Sequence, residues 1–150
     1  MVMIGIAPRI NGYAGNFGDT IPVNGVYTQQ QKDLLNYMRE TFRLTYEMLR
    51  PGMCGRQIDE PGRRYYEKHG LMEYIVCPFA HSMGLMEAEA PFFGPNGDFE
   101  LAPGMIVNVD VSFFGHPQLH GGRIETCFVI TENGSRPLST KLFDYFMKDL

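Results

Sequence analysis

Two strand–turn–strand segments at opposite ends of the chain constrain the fold more than any other feature of the sequence. In the first, apolar residues 3–6 return through residues 21–25 after a turn rich in glycine and asparagine. In the second, residues 106–110 return through residues 128–134. This weak internal repeat suggests two halves, each built from strands and helices and related by a pseudo-twofold axis. The chain would hold the second half and only the end of the first.

The stretch between the two hairpins has the periodicity of helices. From Thr28 onward, apolar side chains recur every three or four residues until Pro51 and Gly52 stop the pattern. The residues on this face are Leu35, Met38, Phe42, Tyr46 and Leu49. A second helix is predicted over residues 56–69 with Gly70 as its C-terminal cap, and a closing helix is predicted over residues 140–150.

The remaining segments are predicted to be strands and loops. Residues 71–77 are expected to be extended, residues 92–97 to form a loop, and residues 104–112 to pair with residues 123–131. We therefore predict an α+β fold in which residues 2–23 and residues 104–131 share one curved antiparallel sheet. The helices between residues 28 and 69 should cover one side of this sheet.

The composition is that of one globular domain. Hydrophobic residues make up 44% and charged residues 20% of the 150 residues, which is normal for a chain with a core. The net charge of −4 comes without a basic stripe, so we expect no nucleic-acid partner. No apolar run reaches the roughly 18 to 20 residues of a membrane span, and the first residues do not lead into the apolar core of a signal peptide. We therefore expect a cytoplasmic protein that does not enter a membrane.

The three cysteines are predicted to be reduced thiols. Cys54, Cys77 and Cys127 are widely spaced, and none belongs to a CxxC pair that would indicate structural zinc or a dithiol. Cys77 lies close to His81 in the sequence, so a nucleophilic Cys/His pair is one interpretation. A buried free thiol is the commoner case.

The densest cluster of reactive side chains lies in the second half of the chain. It comprises His81, Glu87, Glu89, Asp110, Arg123 and Glu125. Residues two apart on a strand share a face, so pairing of the two strands would bring Asp110 and Glu125 to one pocket with His81. An imidazole and two carboxylates serve either as metal ligands or as general acid and base. A histidine whose hydrogen bonds are satisfied within the fold and a strand carboxylate exposed to water would explain the same pattern.

Several segments resemble the second half of the M24 pita-bread family, which includes aminopeptidase P, prolidase and creatinase. They are HSMGLMEAEAP at residues 81–91, LAPGMIVNVD at residues 101–110, GRIE at residues 122–125 and VITENG at residues 129–134. In that family a histidine opens an HGxGL segment, a second histidine lies in HExP, one glutamate follows PGM, and another lies in RxE before a V-T-E-x-G turn. Residues 11–16 and 50–52 extend the match upstream, so the resemblance covers essentially the whole chain.

The resemblance implies a pita-bread fold that is incomplete at its N-terminus, with residues 1–150 as a single partial domain of the catalytic type. It also implies a site for two divalent metals, which the family holds with two aspartates, one histidine and two glutamates. In this sequence Gly5 and Asn16 stand at the two aspartate positions, Asp110 at the first glutamate and Ala88 at the second histidine. Two carboxylates cannot balance two dications where water is excluded.

These departures predict a degenerate site. The retained ligands would be His81, Asp110 and Glu125, with the amide oxygen of Asn16 as a further candidate. We therefore expect either no metal or one divalent ion of the Mn, Zn or Fe class. The standard two-metal mechanism, in which two ions clamp the attacking and leaving oxygens, is not expected here.

Three functions follow from the resemblance. The first is hydrolysis of a C–N bond in an Xaa-Pro type peptide or a small amino-acid-like molecule. The second is a metal-independent, creatinase-like hydrolase or lyase, in which His81 shuttles a proton while Asp110 and Glu125 orient the substrate and water. In either case Arg123 would bind a substrate carboxylate or simply pair with Glu125. The third is a non-catalytic relative.

We also expect a homo-oligomer, most simply a dimer, because the strand at residues 2–6 would lack its cover.

Overall fold

The computed structural model describes residues 1–148. Its strands are β1 (Val2–Ile6), β2 (Arg9–Ile10), β3 (Tyr13–Ala14), β4 (Phe17–Ile21), β5 (Ala80–Met83), β6 (Glu89–Phe92), β7 (Ile106–His116), β8 (His120–Thr131) and β9 (Gly134–Pro137). Its α-helices are α1 (Gln29–Tyr46), α2 (Gly55–Lys68) and α3 (Thr140–Phe146). The predicted closing helix is therefore shorter than residues 140–150, of which the last two lie outside the described residues.

One antiparallel sheet contains both predicted hairpins. Seven strands form it: six in the order β1-β4-β8-β7-β5-β6, and β9, which also pairs with β8. Strands β2 and β3 form a separate two-stranded ribbon at the turn of the first hairpin. The predicted α+β fold with an antiparallel sheet is confirmed.

The first hairpin has a longer return strand than the sequence predicted. Asn11 and Gly12 both have positive φ values, of 50° and 89°, which is the backbone of a tight hairpin turn. Strand β4 begins at Phe17, ahead of the return segment predicted at residues 21–25, because Phe17 and Gly18 already pair with Ile6 and Gly5. This early pairing brings β4 alongside β8, where Gly18 lies opposite Glu125.

Helix α1 begins and packs as its sequence pattern indicates. The Thr28 hydroxyl caps the helix by accepting a hydrogen bond from the Gln31 amide, and the Gln31 side chain accepts one in return from the Thr28 amide. The residues of the predicted apolar face that become fully buried are Leu35, Met38, Phe42 and Leu49. Tyr46 is only half-buried, and its ring stacks on Phe128 of β8 with 5.8 Å between centroids.

The second helix also confirms its prediction, with a start at Gly55, one residue earlier than expected. Gly70 has a φ of 67°, the left-handed conformation typical of the residue that follows a helix. Ile58 and Tyr66 are fully buried. Among the described residues, no helix is both long and apolar enough to cross a membrane.

Strict alternation along β7 separates an apolar face from a polar face. Val107, Val109, Val111 and Phe113 are fully buried in the core that α1 and α2 cover. Asn108, Asp110 and Ser112 are also buried, but they belong to the opposite face of the pleated strand. The helices therefore lie on one side of the sheet, and the polar face is left for a site.

Two local predictions need correction. Residues 71–77 are not extended, because residues Met72–Tyr74 form a 3-10 helix and only Ile75 makes a bridge, to Phe113. The main hairpin is longer than predicted: β7 continues to His116 and β8 starts at His120, because pairing persists beyond Ser112 and Arg123.

Candidate functional site

Three adjacent strands bring the predicted site residues together. His81 of β5 lies opposite Asn108 of β7, and Asp110 of β7 lies opposite Glu125 of β8. One ligand atom from each of His81, Asp110 and Glu125 lies within 4.8 Å of the other two. The convergence of these three side chains, expected from the sequence, is therefore present in the structure.

The imidazole of His81 is held in one tautomer. Its Nδ1 lies 3.2 Å from the backbone oxygen of Ser82, an acceptor that requires an N–H on this nitrogen. The other ring nitrogen, Nε2, lies 3.1 Å from the amide nitrogen of Asn108, a donor that requires a lone pair on Nε2. A neutral ring with Nδ1 bonded to a carbonyl and a lone pair on Nε2 is the form that binds a metal ion.

Glu125 lies at the centre of the site and is only 1% exposed. Its Oε2 accepts hydrogen bonds from the amide groups of Asn16, at 2.9 Å, and Asn108, at 2.7 Å. Gly18 leaves the room for this carboxyl group, because a Cβ at that position would lie 2.5 Å from Oε1 of Glu125. The first hairpin therefore shapes the site through a glycine and an amide.

The environment of Glu125 favours its protonated form. Burial, followed by repulsion from Asp110, raises the pKa of Glu125 to about 7, although Arg123 and the hydrogen bond from Asn108 act in the opposite direction. A carboxyl group with a pKa near neutrality exchanges protons readily under ordinary conditions. Perturbed carboxyl groups of this kind are frequent in functional sites.

Arg123 contacts both carboxylates and reaches one of them through a serine. Its Nε lies 3.4 Å from Oδ1 of Asp110, and its Nη1 lies 3.8 Å from Oε1 of Glu125. The same Nε donates a hydrogen bond to Ser112, whose hydroxyl donates to Oδ1 of Asp110. Of the two roles considered for Arg123, pairing within the site is the one for which contacts are present.

Other residues of the sequence cluster lie outside this group. Glu87 is exposed, whereas Glu89 accepts a hydrogen bond from the Met86 amide and so holds the loop between β5 and β6, as predicted. Cys77 is half-buried, and burial raises its pKa to about 11, which disfavours the thiolate that a nucleophile requires. These observations argue against a Cys77–His81 nucleophilic pair.

Sequence reasoning missed two residues that organise the site. Asn108 contacts both His81 and Glu125, and Ser112 connects Arg123 to Asp110. The alternation of side chains along β7 could have identified both residues, since the residues two before and two after Asp110 must share its face. Hydrophobic positions surround Asn108 and Ser112 in the sequence, so each is a polar residue that a buried strand would not otherwise contain.

The raised pKa of Glu125 predicts that the stability of the metal-free protein falls as the pH rises. Between about pH 4.5 and 7 the folded protein holds a proton on Glu125 that the unfolded chain has lost, so its stabilising effect is full below this window and absent above it. Unfolding free energies measured in urea with EDTA should fall between pH 5 and pH 8. Glu125→Gln should remove roughly 2 to 3 kcal/mol of that fall.

Exposed Glu132 provides the matched control for this measurement, because it is not among the charges that shift the pKa of Glu125. Glu132→Gln makes the same chemical change and should leave the pH dependence of stability as it is in the unmodified protein. An equal fall from pH 5 to pH 8 in the unmodified chain and in Glu125→Gln would show that the pKa of Glu125 is not raised.

The fold and the site together define the class of protein. An antiparallel sheet carries helices on one face and the group of His81, Asp110 and Glu125 on the other, and this fold is shared with pita-bread prolidases of known structure. The sequence matches the model of metallopeptidase family M24 over residues 1–132. The chain belongs to metallopeptidase family M24.

Individual relatives give the same picture. The chain is 27% identical over 139 residues to an Xaa-Pro dipeptidase from Pyrococcus furiosus, a match that covers 93% of the chain and 39% of the relative. It is 33% identical over 93 residues to a probable dipeptidase PepE from Mycobacterium tuberculosis, covering 62% of the chain and 24% of the relative. The crystal structure of the prolidase from Pyrococcus horikoshii OT3 superimposes with a TM-score of 0.84 at 27% identity, covering 91% of the chain and 39% of the prolidase. The chain thus spans about two fifths of the length of these prolidases.

Proposed function

We propose that the chain hydrolyses a C–N bond of a short peptide of the Xaa-Pro type, or of a small amino-acid-like molecule, with one divalent cation held by His81, Asp110 and Glu125. The observation that carries this proposal is the approach of their ligand atoms to within 4.8 Å of one another on the polar face of the sheet. The names of the relatives, which include Xaa-Pro dipeptidases, support the class of substrate.

The chemistry of these three groups suits one cation of the Zn, Mn or Fe class. Imidazole nitrogen and carboxylate oxygen are ligands that these ions accept, and the tautomer of His81 leaves Nε2 available. Two carboxylates balance one dication, whereas a second dication would add two uncompensated charges beside the guanidinium of Arg123. The charge of the site therefore favours a degenerate centre with a single ion.

The bound cation would supply a Lewis acid that polarises the scissile carbonyl and activates water. Asp110 is kept in place for this task by the hydroxyl of Ser112. Glu125 would bind the cation as a carboxylate, so ion binding would displace the proton that its raised pKa favours in the metal-free site. The side chain of Arg123 is 30% exposed, so its remaining N–H groups can bind the terminal carboxylate of a dipeptide.

The test is an assay of purified protein with Ala-Pro as the substrate and Ala-Ala as the control peptide. Release of proline should require a divalent ion, stop after treatment with EDTA and return when Mn²⁺ is added. Metal analysis after dialysis should give no more than one ion per chain. Two tightly bound ions would contradict the single-ion site, and absence of hydrolysis under all conditions would favour a non-catalytic relative.

A metal-independent hydrolase of the creatinase type is the second candidate. It is favoured by the two amide groups that already satisfy Glu125 through hydrogen bonds from Asn16 and Asn108. In this case His81 would accept and return the proton while Asp110 and Glu125 orient the substrate and water. Hydrolysis that persists at full rate in EDTA would select this candidate over the first.

We also propose that the protein forms a homodimer through the β1 edge of the sheet. Strand β1 is the terminal strand of its sheet, and Val2, Met3 and Ile6 are 45%, 48% and 53% exposed. An open strand edge with apolar side chains favours pairing with another chain. Sedimentation velocity should show a dimer, and a monomer at all concentrations would contradict this proposal.

A cytoplasmic location stays a prediction.

A further inference from the structure

Asn108 lies between two of the three proposed cation ligands. It is fully buried on β7, directly opposite His81 of β5. Its amide nitrogen lies 3.1 Å from Nε2 of His81 and 2.7 Å from Oε2 of Glu125. A carboxamide nitrogen carries two N–H groups, so one can be donated to each neighbour.

The contact of Asn108 with His81 uses the lone pair that a cation would use, and its contact with Glu125 occupies one of the two carboxylate oxygens. Nε2 of His81 is the only ring nitrogen free to ligate, because Nδ1 is directed at the Ser82 carbonyl. Oε2 of Glu125 likewise receives a hydrogen bond from Asn108. The N–H groups, which are the positive end of the amide dipole, therefore interact with these two groups as a cation would.

We propose that Asn108 is an internal competitor of the cation and the residue that sets the cation affinity of this site. The inference rests on the proposed single-ion site, but it does not depend on what the site hydrolyses. For an ion to bind Nε2 of His81, the N–H group that Asn108 donates to this nitrogen must give up its acceptor inside a buried site. A buried donor left without an acceptor is unfavourable, so the bonds to Asn108 weaken cation binding.

Asn16 provides the matched comparison. Its amide also donates to Oε2 of Glu125, at 2.9 Å, and it is buried with only 7% exposure. Its one side-chain hydrogen bond in the described part of the chain runs to Glu125, and it does not hold His81. Removing the Asn16 amide therefore takes away one of the two hydrogen bonds to Oε2 of Glu125 and leaves His81 unchanged. Removing the Asn108 amide takes away the other hydrogen bond to Oε2 and also frees Nε2 of His81.

The experiment is calorimetric titration of the whole chain with Mn²⁺ and with Zn²⁺ at pH 7.5. Asn108→Val keeps a strand-favouring side chain of similar size and removes both donors. We expect its dissociation constant to be at least tenfold lower than that of the unmodified chain. For Asn16→Val we expect the same constant as in the unmodified chain, or weaker binding. An unchanged or higher constant for Asn108→Val, including no binding by either protein, would overturn the proposal.

A second measurement uses the unmodified chain and so does not depend on how the variant folds. In ¹⁵N-labelled protein, the side-chain NH₂ resonances of Asn108 should shift when Zn²⁺ saturates the site, because their acceptors are lost. Unmoved resonances at saturation would overturn the proposal. The peptide assay is independent of both results. Tighter cation binding by Asn108→Val without any peptide hydrolysis would contradict the proposed activity and still support the role of Asn108.

Discussion

Replacement of His81 by alanine should abolish tight cation binding and lower any hydrolytic rate by on the order of a thousandfold, while the protein stays folded. The substitution removes the one nitrogen ligand of the proposed site, leaving two carboxylates beside Arg123. Calorimetric titration with Mn²⁺ and the release of proline from Ala-Pro measure the two effects. Circular dichroism and thermal unfolding check that the variant is folded.

The fold should survive because the side chain of His81 makes few contacts. His81 lies in β5, but it is half-buried and its ring contacts only Asn108 and the backbone of Ser82 among the hydrogen-bonding groups described. The apolar core lies on the other face of the sheet. The substitution therefore removes no core contact of the kind that Phe79 or Val109 makes.

His69→Ala is the matched control for this prediction. His69 is exposed at the end of α2, where Nδ1 lies 2.7 Å from the backbone oxygen of Tyr65. Its removal deletes an imidazole without touching the polar face, so cation binding and hydrolysis should persist. Equal binding constants in His81→Ala and in the unmodified chain would show that His81 is not a ligand.

The double substitution Gly5→Asp with Asn16→Asp should raise the stoichiometry from one Mn²⁺ per chain to two and tighten binding by on the order of a hundredfold, since affinity rises with the number of charged ligands. Asn16 already reaches Glu125 at 2.9 Å. Gly5 pairs with Gly18, and a Cβ at Gly18 would point at the Glu125 carboxyl group. Cross-strand partners share a face, so an aspartate at position 5 would project toward the same side.

The space around Gly5 accommodates the new side chain. A Cβ built there would meet no atom within 4 Å. Asn24→Asp makes the same amide-to-carboxylate change in an exposed turn and should leave binding unchanged. Unchanged stoichiometry and affinity in the double variant would mean that residues 5 and 16 do not occupy the aspartate positions that the family resemblance assigns to them.

Local patterns in the sequence were sufficient for the main elements. Helix α1 begins after Thr28, where its apolar pattern was predicted to start, because a helix start depends on residues three positions away, and Gly70 took the left-handed conformation that follows a helix. The predictions failed where local signals compete. Residues 71–77 are apolar enough for a strand, but only Ile75 finds a bridging partner, so a 3-10 turn forms instead.

The site shows the same division between local and tertiary information. The alternation of side chains along a strand was enough to place Asp110 on one face with its neighbours two residues away. The position of Asn108 opposite His81 and the room that Gly18 leaves for Glu125 could not be read from the sequence, because these contacts depend on the register between strands that are distant in the chain. That register is set by the packing of the whole sheet against α1 and α2, and no short window of sequence contains it.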